Sequence, residues 1–512
     1  MIKYILLSTL TVFTTIFCFN FQAHAQSKEK PNVIIINADD IGYGDLSSYG
    51  ATKVSTPNID KIATEGLSFT DAHSASAVCS PSRYGLITGE YPARKDYLWG
   101  PLMFKEPLSV DMDQLTIADV MKDAGYKTAV IGKWHLGFGS REEVLDWNKA
   151  LNPGPLELGF DYYYGVPVLN SHPPFVYVEN HHVVGLVPED PIVYNKQAIT
   201  REFDEKFDLD LVGGGDAAHA LYKDREIGTN LANRAVKWIK KNKDDPFFLY
   251  FATTNIHHPF TPAPRFIASS DAGPYGDAIH ELDWIVGEIT RTLEEEGLVN
   301  DTLLIFTSDN GGMFNRGGQT AWEAGHKMNG DLLGMKFGAW EGGHRVPFIV
   351  RWPGKTPAGQ KSAELLSNVD VLATLADLVG YKLNKEEGPD SVNMMAAFKG
   401  EVGEPIRNEL IISPFRKTHL TIRSGKWVYI SAQDEGGFEG TRIGQHLFAG
   451  SAAVGFTGQI NSDIIDGKIK EGAAPAQLYD LEKDPYQTTN VYYDNPDVVG
   501  RLKAMMEKTM AE

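Results

Sequence analysis

Cysteine is almost absent: 512 residues contain two, Cys18 and Cys79. Cys18 lies in the apolar stretch "YILLSTLTVFTTIFCFNF" near the start. That stretch follows Lys3 and precedes "QAHAQ", a small-x-small cleavage pattern after Ala25, so residues 1–25 read as an export signal. The run is short for a membrane span and carries several threonines, so no stable membrane insertion is expected. Phe17 is too bulky for a lipid anchor on Cys18. Once the signal is removed, Cys79 is alone and an internal disulfide is excluded, although export leads to an oxidising periplasm or exterior. Positive charge is also scarce: 48 Lys and Arg face 67 Asp and Glu, a net charge of −19. A nucleic-acid partner would want a basic surface. An anionic substrate must therefore be met by a local cationic pocket. There is no internal repeat, heptad series or low-complexity tract.

What is present is a set of short, continuous apolar runs. "NVIIINADD" ends in Asp39 and Asp40, and "KTAVIGKWHLG" carries Lys133 and His135. "PFFLYFATTNIHHP" leads to His257 and His258, and "DTLLIFTSDNGG" to Asp309 and Asn310. Runs without alternation suit strands buried on both faces. Helical patterns lie between them in "STPNIDKIATEG", "QLTIADVMKDAG", "NLANRAVKWIKKN" and "HELDWIVGEITRTLEEEG". The order predicts an α/β domain with a largely parallel sheet flanked by helices, over residues 26–385. After about residue 385 the character changes. "LTIRSGKWVYIS" reads as two strands around a turn and "NPDVVGRLKAMMEKTM" as a terminal helix, which sets residues 386–512 apart.

In open α/β sheets, ligands bind beyond the carboxyl ends of the strands. All four polar clusters fall there. Taken singly, an Asp-Asp after a strand is usually a turn or a cap, and a lone histidine a satisfied surface or core residue. Their coincidence at one sheet edge carries the argument. Asp39, Asp40, Asp309 and Asn310 offer hard oxygen ligands, which suit Ca²⁺ or Mg²⁺. Lys133, His135 and His257 add cationic and titratable groups, so the edge would trap a tetrahedral oxyanion.

"SAVCSPSRYGLITGEY" supplies the remaining part. Ser80 reads as a helix N-cap, Pro81 as the first turn and Gly89 as the stop, which places Cys79 just before a helix N-terminus that favours anions. A buried small hydrophobe or a thiolate nucleophile are both open readings of Cys79. Neither explains why Pro81 and Arg83 accompany it.

Cys79-x-Pro81-x-Arg83 followed by Thr88-Gly89 resembles the signature of the type I sulfatases, within the alkaline-phosphatase-like superfamily. "NADDIGYGD", "GKWHLG", "HHP", "SDNGG" and Lys336 ahead of "WEGGHRVP" match in order, as do "VDVLATLADLVG" and "LYDLEKDPYQTTN". The resemblance covers nearly the whole mature chain, which also looks like the exported bacterial polysaccharide sulfatases, and it implies a large mixed, mostly parallel sheet flanked by helices plus, over 386–512, a small C-terminal α+β subdomain with an antiparallel sheet. It implies that a maturation enzyme oxidises Cys79 to formylglycine, which hydrates to a geminal diol. One hydroxyl would attack sulfur, and the other would then collapse to the aldehyde and expel sulfate. It also implies that Asp39, Asp40, Asp309 and Asn310 hold one Ca²⁺ with residue 79, and that Arg83 orients the diol. Lys133 and Lys336 would bind sulfate, Asp309 take the proton of the attacking hydroxyl, His135 assist collapse and His257 protonate the leaving oxygen. Ser171 in "GVPVLNSHPP" is a looser match to a sulfate-contacting residue. Glu90 departs from the family, which often has Arg after Thr-Gly, and puts the efficiency of maturation in question.

For the substrate, His172, His258, Trp322 and His344 are candidate pocket residues, with Trp99, His326 and Trp340 also near the motifs. A sulfated polysaccharide or its oligosaccharides is expected, whether an algal polymer such as ulvan or carrageenan or a glycosaminoglycan. Two rivals stand: a phosphonate or phosphate ester hydrolase on the same fold, and a glycan-binding protein without activity.

Overall fold

The computed structural model describes residues 30–194, 212–401, 403–438 and 440–511; the export signal and Cys18 lie outside them. Among the described residues no helix is long and apolar enough to cross a membrane.

Ten strands form the main sheet: β1 (Asn32–Ala38), β2 (Leu67–Phe69), β3 (Lys127–Gly132), β4 (Tyr162–Gly165), β5 (Val178–Glu179), β6 (His182–Val183), β7 (Phe247–Ala252), β8 (Thr302–Ser308), β9 (Phe348–Arg351) and β10 (Gln360–Ser362). Their order is β10-β2-β9-β8-β1-β7-β3-β4-β5-β6. The central pairs β8·β1, β1·β7, β7·β3 and β3·β4 are parallel, whereas β9 runs antiparallel to both β8 and β2. The sheet is thus mixed but mostly parallel at its centre, as expected.

The reason is visible in β1. Val33 and Ile35 enter the core on one face, and Ile34 and Ile36 enter the core on the other. Every residue of β1 is buried, so both faces must be covered. Helices α1 (Pro57–Glu65), α4 (Ile227–Asn242) and α5 (Gly273–Glu295) cover one face with Ile59, Leu231 and Leu282. Helices α2 (Cys79–Thr88), α3 (Ile117–Asp123) and α6 (Asp370–Val379) cover the other with Tyr84, Met121 and Leu375. Each fully buried aliphatic side chain contributes about 1.5–3 kcal/mol relative to exposure. A charged residue at Ile34 or Ile35 would break this packing.

Two local expectations are corrected. Helix α5 begins at Gly273, seven residues before the apolar periodicity at His280, because Pro274 sits in its first turn where no N–H is needed. Helix α2 begins at Cys79 itself, after extended Val78, and has no side-chain cap. The Ser80 hydroxyl accepts the Leu102 N–H at 2.9 Å instead of capping. Gly89 does end the helix, at φ 66°.

The second sheet is antiparallel throughout: β11 (Glu409–Ile412), β12 (Thr421–Ser424), β13 (Trp427–Ile430) and β14 (Gln477–Asp480), in that order. The terminal helix α7 (Pro496–Ala511) packs Val499 and Leu502 against Ile422 and Tyr429 of this sheet.

Candidate active site

The parallel register brings the carboxyl ends of β1, β7, β3 and β8 level, and the four polar clusters meet there. Glycine at 132 is required by the geometry: its φ is 121°, and a Cβ there would lie 1.7 Å from the Ala252 carbonyl oxygen. That tight strand contact lets the chain turn so that Lys133 and His135 face the edge. Asp40 and His135 both have positive φ, 65° and 58°, and Phe337, beside Lys336, has 78°. Such backbone costs roughly 1–2 kcal/mol per residue and persists only where surroundings fix it. Around Phe337 the fixing bonds are its N–H to Ala77 O at 2.7 Å and its carbonyl to Phe415 N at 2.8 Å.

Asp39, Asp40 and Asp309 each offer a carboxylate oxygen within 4.8 Å of the others, and all three are buried. Asn310 donates to Asp40 at 2.9 Å. Lys133 Nζ bonds both oxygens of Asp39, at 2.9 and 2.7 Å, and Lys336 Nζ is ion-paired with Asp40. The Arg83 guanidinium bonds Asp309 at 2.9 and 2.7 Å and donates to the Lys133 carbonyl at 3.1 Å. Three buried carboxylates therefore face three buried cations. Burial pushes the Asp309 carboxyl up against the opposing pull of Arg83. Burial works against the Lys336 charge, but Asp40 and its neighbours hold its pKa above the usual range.

Cys79 opens α2 and is buried beside these groups. Burial pushes its thiol up, while Lys133 and Lys336 pull it down without reversing the shift. A resting thiolate is therefore disfavoured.

Three histidines surround the edge. His135 is held well below the usual range by burial and then by Lys133 and Arg83. His257 Nδ1 lies 2.6 Å from the His258 carbonyl, which can only accept, so Nδ1 carries the proton and Nε2 is the reactive nitrogen. Burial, Lys336 and His258 hold His257 well below the usual range. His258 stacks on His257 with ring centroids 4.4 Å apart. Asn170 donates to the His257 carbonyl at 3.0 Å and so ties the Ser171–His172 segment to the site. Ser171 Oγ lies 2.7 Å from His172 Nδ1.

The structure thus brings together Asp39, Asp40, Cys79, Arg83, Lys133, Asp309, Asn310 and Lys336, with His257 and His258 beside Lys336. It places other sugar-pocket candidates elsewhere. Trp340 is buried with its indole N–H on Gln477 at 2.8 Å, and His326 is buried on Asp45 at 2.7 Å. Trp322 packs edge-on against Phe314, and Trp99 packs against the core of the small sheet. His344 is fully buried in a second cluster with His73 and Glu341. Glu90 sits at the far end of α2, bonded to Tyr84 and, at 2.6 Å, to Gln114.

Sequence reasoning missed two contributions from the small subdomain. His446 meets His258 edge-on at 4.1 Å, and burial, Arg316 and Lys336 lower its pKa to about 4. Glu435 is buried; its carboxyl oxygens accept the Met335 N–H at 2.6 Å and the Gly450 N–H at 2.7 Å. Glu435 thereby pins the Lys336 loop to the segment carrying His446. Its cradle is lined by Gly338, where a Cβ would lie 2.0 Å from the Glu435 Cγ. No motif surrounds either residue in the sequence.

A mixed sheet with buried acids, cations and a helix-opening cysteine at its edge defines a hydrolase of anionic esters. The family model "Sulfatase" matches residues 31–381, and the chain belongs to the sulfatases, enzymes that hydrolyse sulfuric esters. It is 38% identical over 509 residues to the N-acetylgalactosamine-6-O-sulfatase of Bacteroides thetaiotaomicron, covering 94% of each chain. It is 31% identical to human arylsulfatase A over 93% of this chain and 87% of that protein. A solved structure from a study of how Bacteroides thetaiotaomicron metabolises multiple glycosaminoglycans superposes with a TM-score of 0.82. That structure is 36% identical, with 94% of this chain and all of that one covered.

Proposed function

We propose that this sulfatase is an exported enzyme that removes sulfate from a glycan, with 6-O-sulfated N-acetylgalactosamine of glycosaminoglycan origin as first candidate. The observation that carries the substrate class is the 38% identity, sustained over 94% of both chains, to an N-acetylgalactosamine-6-O-sulfatase.

The residues fit a hard dication. Asp40 Oδ2 and Asn310 Oδ1 are buried without hydrogen-bond partners, and with Asp39 and Asp309 they form an all-oxygen donor set. We assign them to Ca²⁺, with residue 79 adjoining. The ion would bring positive charge to a site whose own carboxylates and cations cancel. The residues fit formylglycine as well: Cys79 is the only cysteine described, is buried among Lys133, Lys336 and Asp309, and is not favoured as a thiolate. Once matured and hydrated, residue 79 would supply the oxygen nucleophile and the second hydroxyl needed to release sulfate.

The chain's own residues do the rest. Arg83, locked on Asp309, fixes the direction of residue 79. Lys133 and Lys336 are the two ammonium groups at the edge and bind sulfate oxygens. Asp309 accepts the nucleophile's proton. His257 presents Nε2 to the leaving oxygen, with its other nitrogen fixed on the His258 carbonyl. In the free enzyme burial, and then Lys336, His258 and Lys133, hold His257 well below the usual range. A sulfate anion between the lysines cancels part of their field and raises the proton affinity of His257, the direction a general acid needs. His172, His258 and His446 lie on the sugar side.

The test is sulfate release from N-acetylgalactosamine 6-sulfate, its 4-sulfate isomer and other sulfated oligosaccharides, including carrageenan fragments, alongside matched phosphate and phosphonate monoesters. Preference for the 6-sulfate is expected. Faster turnover of another sulfated sugar would overturn the substrate, faster phosphoester cleavage would favour the rival hydrolase, and no turnover by matured protein would favour a binding protein.

A further inference from the structure

A second cluster lies apart from the strand-edge acids. His73, Glu341 and His344 are 1%, 0% and 0% exposed, and one donor atom from each lies within 4.8 Å of the other two. The hydrogen bonds fix the tautomers. His73 Nε2 lies 2.9 Å from Asp71 Oδ1, and Asp71 is ion-paired with Arg345 and Arg423. His344 Nε2 lies 3.3 Å from the Ala339 carbonyl oxygen. Both partners accept, so both Nε2 atoms donate. The two Nδ1 atoms then face each other as bare lone pairs, 3.0 Å apart. Beside them Glu341 Oε1 is buried with no hydrogen-bond partner, while its other oxygen takes Arg345 Nε at 2.6 Å.

A proton on one imidazole would satisfy the nitrogen pair but leave Glu341 Oε1 unmet. A cation would satisfy all three. Each ligand candidate already has an outer partner on its far atom: Asp71 for His73, the Ala339 carbonyl for His344, Arg345 for Glu341. That arrangement characterises metal-bound histidine and carboxylate. Two nitrogens on a tetrahedral zinc stand about 3.3 Å apart for bonds of ~2.0–2.1 Å, close to the spacing here. Asp71 and Glu341 are balanced by Arg345 and Arg423, so no net field opposes the ion beyond its own charge.

We propose that His73, His344 and Glu341 form a second metal site, for a borderline dication of the zinc class, distinct from the hard-cation site of Asp39, Asp40 and Asp309. Imidazole nitrogens select zinc over calcium. The site is structural: it staples residue 73, in the segment that leads to Cys79, to the Glu341–Arg345 turn.

The experiment uses the untagged full chain. Metal content is measured as purified and after stripping and reloading with cobalt(II), in the wild type and in His344→Phe, Glu341→Gln and Asp40→Ala. The expected result is about one equivalent of zinc or cobalt per chain, with the visible absorption of cobalt held by the three side chains and one water and no thiolate charge-transfer band. It persists in Asp40→Ala and is lost in His344→Phe. After stripping and resupply of calcium alone, Tm should stay lowered in the wild type until zinc is added, whereas zinc should not change it in Glu341→Gln. A wild type that takes up no zinc or cobalt, or uptake unchanged by His344→Phe, overturns the proposal in favour of a shared proton. If His344→Phe does not fold, the wild-type cobalt spectrum decides, because a thiolate band or octahedral cobalt places the ion elsewhere.

Discussion

Replacing His257 with alanine separates proton donation from substrate binding. The ring is buried, Nδ1 is committed to the His258 carbonyl at 2.6 Å, and only Nε2 remains for the substrate. When a sugar sulfate is cleaved the departing alkoxide is strongly basic and needs that proton. A positioned acid contributes ~10²–10⁴-fold, which is about 2.7–5.4 kcal/mol of transition-state stabilisation at 1.36 kcal/mol per decade. A nitrophenolate leaves well unaided. His257→Ala should therefore lose ~10²–10⁴-fold in kcat/KM on a sugar sulfate and within about tenfold on nitrophenyl sulfate. His258→Ala is the control and should change sugar preference without leaving-group dependence. The structure adds a pH signature. Burial and Lys336 hold His257 well below the usual range in the free enzyme, and kcat/KM reports the free enzyme while kcat reports the complex. On a sugar sulfate, kcat/KM should thus begin to fall with rising pH before kcat does, and that separation should vanish in His257→Ala. Equal losses on both esters, or coincident pH limbs in the wild type, would refute the assignment of His257 as the acid.

Four further outcomes are expected. Mass spectrometry of the peptide carrying residue 79, from active enzyme, should show the aldehyde or its hydrate; a pure thiol in fully active protein rules this out. Asp40→Ala, or chelation, should cost at least the ~10–100-fold that loss of a mere outer-shell partner costs a metal site, and elemental analysis should show calcium lost from Asp40→Ala; full activity without metal would end the assignment. Burial raises the Glu435 pKa from 4.5 to about 8, so native protein keeps a proton that unfolded chain has released between those values. Stability should then decline as pH rises through that window, a slope that thermal melts should no longer find in Glu435→Gln, itself destabilised by about 1–3 kcal/mol through an unmet N–H. His446→Ala should alter KM and preference among sugar sulfates while leaving nitrophenyl sulfate turnover within about tenfold; an equal loss on both would place His446 in the chemistry.

The sheet was legible because β1, β7 and β8 are unbroken apolar runs, each ending in polar residues. The acids and cations were legible for the same reason: strand ends are marked in sequence, and parallel pairing makes them level. The start of α5 was not, since Gly273 to Gly276 carry no periodicity. Nor was the role of Ser80, whose hydroxyl is taken by Leu102, a partner 22 residues away. The sugar-pocket candidates were chosen by closeness to motifs along the chain. Closeness along the chain does not set which way a side chain points, and Trp340 and His326 point into the protein. His446 and Glu435 act across |i−j| of 100 and more on loops without periodicity or motif. Only the folded chain brings them to the site.

The contact of His446 with His258 has a practical side. Apart from Lys336 on its loop, the residues proposed for the chemistry follow β1, β3, β7 and β8 or open α2, whereas His446, proposed for the sugar, hangs on a loop of the small subdomain. Chemistry and taste are thus mounted on separate supports that Glu435 joins. A library of variants confined to residues 441–448, with Glu435 and the Cys79–Arg83 stretch untouched, is the natural route to retargeting this enzyme to other sulfated sugars while leaving the strand-edge residues as they are.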